Sequence, residues 1–377
     1  MKVFVNTSHT GELVKENKYI FNYDAKAKDI VSITMPIRNE SWTSGKLHPI
    51  FEMNMPEGVL KEVIKNHFSK IEKMDDMGLL KLIGPYMLGR VKFGKIETPA
   101  EKLHLNDILT SEKENLFEEL MDRFAIRSGV SGVQPKLLLT TQNKTTMCFE
   151  HYIVKSWQKE YPQLSINEFF CMRALQHAGI ETPEFYLSDN LSLFVMKRFD
   201  INKDGKYLGF EDMCVLTGRG TDDKYEGSYE EIARVLKDVI APMYRKIALK
   251  SLFTAVLMNH FLRNGDGHLK NYGIVYEKDY QDAKLAPIYD VITTTCYIKN
   301  DIPALKMSDA KLWWKEKTYK TFAKLSCGLT NKEYDQIVSK CKEAITITKE
   351  EIKNFKHQDQ EVKEFLNHLV ACWHDGF

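Results

Sequence analysis

The stretch NGDGHLKN at residues 264–271, with APIYD following at 286–290, decides the reading of this chain. Asn, Gly and Asp are favoured turn formers, so NGDG read alone is a surface turn. The apolar run LAPIYDVI behind it ends a buried segment on an acidic residue, and buried Asp rarely goes unpaired. Together the two segments supply two carboxylates, Asp266 and Asp290, and one amide, Asn271. A carboxylate within reach of a hydroxyl can orient it and take its proton. A carboxylate and an amide carbonyl are hard oxygen donors of the kind Mg²⁺ prefers.

The spacing narrows the chemistry. Asp266 and Asn271 are five residues apart, and Asp290 lies further along the same chain. Protein kinases place a metal-binding Asn five residues after the catalytic-loop Asp, with a second metal-binding Asp soon after. The residue types and intervals match that pattern, although the surrounding letters do not. Asp266 is therefore the expected catalytic base, Asn271 and Asp290 are the expected Mg²⁺ ligands, and ATP is the expected cosubstrate. The expected fold class is α+β, a two-lobed protein-kinase-like fold with a small β-rich N-terminal domain and a mostly helical C-terminal lobe.

Upstream segments fit the same reading. RSGVSGVQPK, residues 127–136, carries glycines that let backbone N–H groups close on phosphates, so Ser131, Gly132 and Val133 are candidate cofactor contacts. It matches neither a Walker A loop nor the kinase GxGxxG, and a glycine turn between helix and strand is common. Lys155, late in the apolar strand HYIVKSW, is the candidate phosphate lysine, and Glu168 can pair with it. Ser165 and Glu168 also have capping-box spacing, which leaves a purely helical role for Glu168 open. LFVMKRFD, residues 193–200, reads as a hinge strand, with Lys197 and Phe199 as candidate nucleotide contacts. Edge-strand Lys and Arg also serve simply to block pairing with other chains. His268 and Lys270 flank the catalytic loop as phosphate contacts or loop-holding groups, His268 acting as a support and not as a ligand.

Turn-separated runs over residues 1–24 suggest a β-meander, and MPEGVLKEVIKNHF and MGLLKLIG read as helices before a strand MLGRVKF. Ser111 with Glu114 has the spacing of a helix start, as does Ser228 with Glu231. Between them KLLLTT, MCFEHYIVKSW, a helix near Ser165 and LSLFVMKRF give the order β-β-α-β. The expected boundaries are 1–105 for the β-rich module, 106–200 for an N-lobe with the Gly-rich loop, and 201–377 for a helical C-lobe.

Composition excludes several classes. A formal charge of +1 argues against a chain whose main task is wrapping nucleic acid. Seven cysteines, scattered and without a CxxC pair, suggest neither a zinc site nor a disulfide framework, so free cytosolic thiols are expected. The start MKVFVNTSHTGELV lacks the pattern of a signal peptide, and the apolar stretch 247–258 is too short for a membrane span. A cytoplasmic location without membrane contact is the expectation.

SGVQPK, NGDGHLKNYGI and APIYDVITT resemble the signature segments of HipA-type kinase toxins, and HPIFEMNMPEG at 48–58 resembles that family's N-terminal module. The resemblance implies a serine/threonine kinase that phosphorylates a protein, an aminoacyl-tRNA synthetase in the family's pattern, and so inhibits translation, arrests growth and promotes persistence. It also implies a helix-turn-helix antitoxin resembling HipB, through which alone the chain would meet DNA. By motif position Asp266 resembles the catalytic Asp, Asn271 and Asp290 the metal ligands, and Lys155 the ATP lysine. The family's Gly-rich loop is an autophosphorylation site, and here the pattern departs: Gly129 stands where the best-known members carry the serine. Ser131 is the first candidate and Ser128 the second. Two other readings stand beside this one, a kinase-like enzyme acting on a small molecule or lipid and a non-catalytic ATP-binding interaction module.

Overall fold

A computed structural model describes residues 1–68, 75–94, 103–128, 130–131, 134–142 and 149–377. Alternation of apolar and polar residues folds the start of the chain into strands β1 (Lys2–Val5), β2 (Ser8–Lys15), β3 (Tyr19–Tyr23) and β4 (Trp42–Ser44). Strand β5 (Val91–Phe93) returns beside β1, completing a sheet of order β4-β3-β2-β1-β5 with antiparallel pairs throughout. Gly11 is required where β2 crosses β3, because a Cβ there would lie 2.3 Å from the Asn22 carbonyl oxygen. Helices α1 (Pro49–Glu52), α2 (Gly58–Phe68) and α3 (Asp76–Ile83) belong to the same module, and the Phe51 ring packs between Phe21 and Phe93.

Two short helices, α4 (Leu105–Leu109) and α5 (Leu116–Phe124), lead into the next sheet. Helix α5 starts later than the Ser111 signal predicts. The Ser111 hydroxyl accepts from the Lys113 N–H at 3.3 Å, closing a turn two residues on instead of capping a helix. Strands β6 (Lys136–Gln142) and β7 (Phe149–Lys155), helix α6 (Leu164–His177), and strands β8 (Phe185–Leu187) and β9 (Phe194–Lys197) follow. Their sheet runs β6-β7-β9-β8. The short strand β8 is an addition to the expected β-β-α-β order. Helix α6 begins at Leu164, so Ser165 lies inside it and donates to the Ser192 carbonyl at 2.9 Å rather than capping.

The rest of the chain is mostly helical. Strand β10 (Gly209–Asp212) runs into α7 (Met213–Leu216), whose first turn is capped by the Asp212 carboxylate accepting from the Val215 N–H. Helix α8 (Tyr229–Val239) begins where Ser228 predicts, with the Glu231 N–H donating to the serine hydroxyl at 3.1 Å. Helix α9 (Pro242–Phe261) forms the buried centre of this lobe; Leu252, Phe253, Leu257 and Met258 are inaccessible to solvent. Strands β11 (Gly273–Tyr276) and β12 (Lys284–Leu285) complete a small sheet with β10, and helices α10 (Glu316–Leu325), α11 (Asn331–Asn354) and α12 (Gln360–Cys372) close the fold. Among the described residues, no helix is long and apolar enough to cross a membrane.

Buried polar groups fasten the first module to the rest. Arg90, 2% exposed, donates to the carbonyls of Glu277 (2.6 Å), Lys278 (2.8 Å) and Ile30 (3.1 Å), and its guanidinium lies over the Tyr276 ring. Glu211 on β10 accepts from the Ser32 hydroxyl and the Ile33 N–H, each at 2.7 Å. Asp200, paired with Arg198 at 2.6 Å, also accepts from the Gly89 N–H. Charge-assisted bonds of this kind contribute about 1.5–3 kcal/mol each, and orphaning their buried partners costs more than the bond alone. Arg90→Met should therefore lower stability by about 3 kcal/mol or more and expose the 24–35 segment to limited proteolysis. Denaturation and cleavage patterns matching the wild type would show that Arg90 is not the fastener.

Candidate active site

A cleft of about 600 Å³ separates the four-stranded sheet from the helical part, and its walls bring together segments distant in sequence. Lys155, the last residue of β7, is 2% exposed and reaches two carboxylates: Glu168 of α6 and Asp290, each at 2.6 Å. Lysine at the end of a strand and glutamate in the second turn of the following helix meet because α6 packs behind the sheet. Glu168 therefore faces the lysine and does not serve the helix start. Asp290 has φ +60°, a left-handed conformation that costs a non-glycine residue of order 1–2 kcal/mol and that Asp tolerates better than most. The surrounding packing holds it there. Arg263, just before the Asp266 loop, also sits in that region at φ +55°.

Charge sets the ionisation of this trio. Burial works against the Asp290 anion, but the ammonium groups of Lys155 and Lys136 outweigh it and hold the carboxyl well below its usual range. Burial also opposes the Lys155 charge, and Asp290 and Glu168 more than compensate, keeping the lysine protonated. Glu168, with no solvent contact, is pushed up by burial to about 7 against the pull of Lys155. One cation faces two carboxylates, and the deeper one is the readier to take a proton.

Asp266 lies on the loop between α9 and β11. Its Oδ1 accepts from the Tyr225 hydroxyl at 2.8 Å, and its N–H donates to Asn264 Oδ1 at 3.0 Å. Burial raises its pKa to about 6; the Tyr225 bond opposes that rise and the nearby Asp290 charge adds to it. The loop is braced from behind. The Gly265 N–H donates to Thr294 Oγ1 at 2.8 Å, and a Cβ on Gly265 would strike Asp301. Asn271 turns its Nδ2 toward Asp290, 3.3 Å from both the backbone oxygen and Oδ2, while its Oδ1 accepts from the His268 N–H at 3.1 Å.

This donor set fits a hard divalent ion. Asp290 lines the cleft with its Oδ2 accepting from Asn271 Nδ2, and both side chains carry oxygen donors of the kind such an ion prefers. Asn271 offers its Oδ1 once the amide turns over and releases the His268 N–H. His268 is buried against the Tyr225 ring, and burial lowers its imidazole to about 4, which leaves it neutral and suited to holding the loop.

The remaining candidates divide. Phe199 lines the cleft, stacked on Tyr289 at 5.3 Å with Phe210 at its edge, so one face of its ring is already covered. Lys197 does not reach the cleft. Strand alternation turns Met196 inward and Lys197 outward, where it pairs with Glu150 at 2.8 Å and Glu184 at 3.6 Å. Ser128 is fully buried; its hydroxyl donates to the Phe124 carbonyl and accepts from the Leu138 N–H, so as a modification site it is out of reach. Ser131 is accessible at the cleft, whereas Gly129, Gly132 and Val133 lie outside the described residues.

Several cleft residues went unassigned in the sequence. Glu57, from the MPEG segment of the first module, contacts the Ser131 hydroxyl and pairs with Lys224 at 3.2 Å and Lys270 at 3.6 Å. Burial works against its charge, but Lys270, Ser131 and Lys224 together hold it down to about 2. Lys270 also donates to Ser131 Oγ (2.6 Å) and to the Met53 carbonyl (2.9 Å). Lys136, paired in register with Lys155 across β6 and β7, is buried at the same wall. The signals were present as the glutamate of MPEG and the lysine of QPK, but nothing in one sequence says that those letters share a cleft with Asp266.

A small antiparallel sheet backed by a glutamate-bearing helix, set over a helical lobe that carries an Asp-loop and a second Asp, defines a protein-kinase-like fold. Residues 128–348 match the HipA-like C-terminal domain and residues 1–94 the HipA N-terminal domain, so the chain belongs to the HipA family. HipA of Shewanella oneidensis MR-1, solved in a toxin–antitoxin complex with HipB and operator DNA, superposes with a TM-score of 0.69 at 19% identity over 98% of this chain and 96% of that one. A Haemophilus influenzae "Putative kinase" is 30% identical over 186 residues, 45% of this chain. The Sinorhizobium fredii "Putative kinase Y4dM" is 28% identical over 293 residues, 70% of this chain. The aligned regions span 53% and 66% of those two relatives.

The trio makes its own stability test. Removing one partner of a buried pair costs about 3–5 kcal/mol, whereas replacing both with apolar groups is often close to neutral. Lys155→Met should destabilise the chain by about that amount, and Lys155→Met with Glu168→Leu should recover most of it. Equal losses in the single and double variants would show that Glu168 is not held by Lys155.

Proposed function

We propose that the chain is an ATP-dependent serine/threonine protein kinase, the toxin of a toxin–antitoxin pair, with Asp266 as base and Lys155, Asn271 and Asp290 holding the nucleotide and its metal. One observation carries the reading: Lys155, Asp290 and Asp266 line a single cleft, with Glu168 bonded to Lys155 and Asn271 bonded to Asp290 behind its wall, although the five are scattered over 136 sequence positions. The surface that would choose a substrate is not specified by that cleft. An aminoacyl-tRNA synthetase as target, a HipB-like antitoxin as the only route to DNA, translation arrest and persistence rest on family membership. The domain division at 105 and 200 is proposed on the same footing, as is a cytoplasmic location.

In this mechanism Asp266 accepts the proton of the substrate hydroxyl as its oxygen attacks the γ-phosphorus. The bond from that phosphorus to the β,γ-bridging oxygen breaks, and ADP leaves with the electron pair. Lys155, kept charged by its two carboxylates, neutralises phosphate oxygens, and Lys136 stands beside it. A bound Mg²⁺, held by Asp290 and Asn271, would supply further positive charge to the phosphates. Burial of the cleft walls strengthens each of these interactions by excluding water.

Asp266→Ala should cut phosphotransfer by roughly 10²–10⁴-fold in a labelled-ATP assay and abolish growth arrest. Because Asp266 acts as the anion, wild-type rate should fall as pH drops through about 6. Tyr225→Phe removes a bond that favours the anion and should move that acid limb to higher pH. An Asp266→Ala variant as active as wild type, or an acid limb unmoved by Tyr225→Phe, contradicts the assigned base.

Ser131 is the proposed autophosphorylation site. Its hydroxyl accepts from Lys270, a cation that suits a phosphate, and donates to Glu57, a carboxylate that a phosphate would expel, freeing Lys224 from its pairing with Glu57. After prolonged ATP incubation, mass spectrometry should find phosphate on Ser131 together with loss of activity, and Ser131→Ala should stay active. A modified residue elsewhere, or none, rules the site out.

A further inference from the structure

Outside the cleft, the C-terminal helix brings together three soft metal ligands that the sequence scatters. His368 and Cys372 are one turn apart on α12, and their side chains share a face. Cys296 ends the 3-10 turn Thr294–Cys296, packed against that face. The two sulfurs are 3.7 Å apart, Cys372 Sγ is 3.9 Å from His368 Nε2, and all three ligand atoms fall within 4.8 Å of one another.

Those distances decide between two chemistries. A disulfide needs its sulfurs at about 2.05 Å, so the thiols here are not bonded. Two thiolates on one tetrahedral Zn²⁺, at Zn–S of about 2.3 Å, stand about 3.8 Å apart, and a thiolate and an imidazole nitrogen stand about 3.5 Å apart. The sulfur–sulfur separation already matches the metal-bound value, the Cys372 sulfur is a few tenths of an ångström too far from the imidazole nitrogen, and the Cys296 sulfur lies within 4.8 Å of the imidazole's ligand atom. We infer that Cys296, His368 and Cys372 form a binding site for a thiophilic dication, Zn²⁺, with a water as fourth ligand. His368 is exposed and both cysteines are partly so, which gives the ion an entry path and room for that water. Nε2 would then bind the ion, giving up its 3.3 Å contact with the Cys296 carbonyl, and Nδ1 would carry the ring proton.

The site has a structural consequence independent of the kinase reading. Thr294, two residues before Cys296, accepts the Gly265 N–H and donates to the Arg263 carbonyl, so the turn holding one ligand also braces the Asp266 loop. An ion at Cys296 would pin α12 to that brace, adding to the Trp373 Nε1 bond to Thr293 Oγ1 at 2.7 Å and the Tyr297–Phe365 stack.

The test uses the full chain, purified reduced and stripped with a chelator, then titrated with Co²⁺ and competed with Zn²⁺. A thiolate-to-cobalt charge-transfer band should grow to saturation at a single equivalent, disappear on adding Zn²⁺, and be absent in Cys372→Ser. His368→Ala, at an exposed position that leaves the core untouched, should weaken binding by roughly tenfold or more. Zn²⁺ should raise the melting temperature of the wild type and not of Cys372→Ser. No charge-transfer band in the folded wild type, or one unchanged in Cys372→Ser, overturns the site. So does a Cys296–Cys372 disulfide that forms in air while Co²⁺ and Zn²⁺ leave the reduced chain unaffected.

Discussion

A single ammonium group shared by two carboxylates holds the centre of this protein. Lys155 ends a strand, Glu168 belongs to the helix behind the sheet, and Asp290 belongs to the segment that follows the small sheet of the other lobe. Each alone would be costly to bury. Together they offset that cost and tie three parts of the chain to one point. Asp290 accepts an unfavourable backbone conformation to reach that point, and Asn271 and the Asp266 loop are positioned relative to it.

Much of this was legible in the chain itself because it follows local rules. Period-two runs predicted the N-terminal sheet, Ser228 predicted the start of its helix, and the intervals among Asp266, Asn271 and Asp290 predicted a shared site. The failures came from competition that spacing cannot reveal. Ser111 closes a shorter turn, Ser165 reaches a distant carbonyl, and Lys197 points outward because the neighbouring Met196 takes the inward position. Ser128 looked available in a glycine-rich loop, yet its hydroxyl is consumed by two backbone groups. Residues that meet only in three dimensions, among them Glu57 with Lys224 and Lys270, or Cys296 with His368 and Cys372, leave no periodic trace.

Electrostatic matching explains how the cleft tolerates so many charged groups near one another. Acidic and basic side chains are interleaved around it: Asp290 stands near Lys155 and Lys136, Glu168 pairs with Lys155 from behind, and Glu57 pairs with both Lys224 and Lys270. Asp266 stands apart, bonded to the neutral Tyr225 hydroxyl and not to a cation, and its pKa is raised by burial while those of Asp290 and Glu57 are lowered by nearby ammonium groups. Two carboxylates of the same cleft are thereby given opposite ionisation tendencies, one held more readily protonated and one held as an anion.

Met53, Asn54 and Glu57 come from the first module yet form part of the cleft wall, and Arg90 fastens that module in place. The leading segment is thus no detachable appendage. Swapping it between relatives would alter the cleft-facing surface as well as the outer one, and chimeras joined near residue 94 would inherit mismatched halves of one pocket.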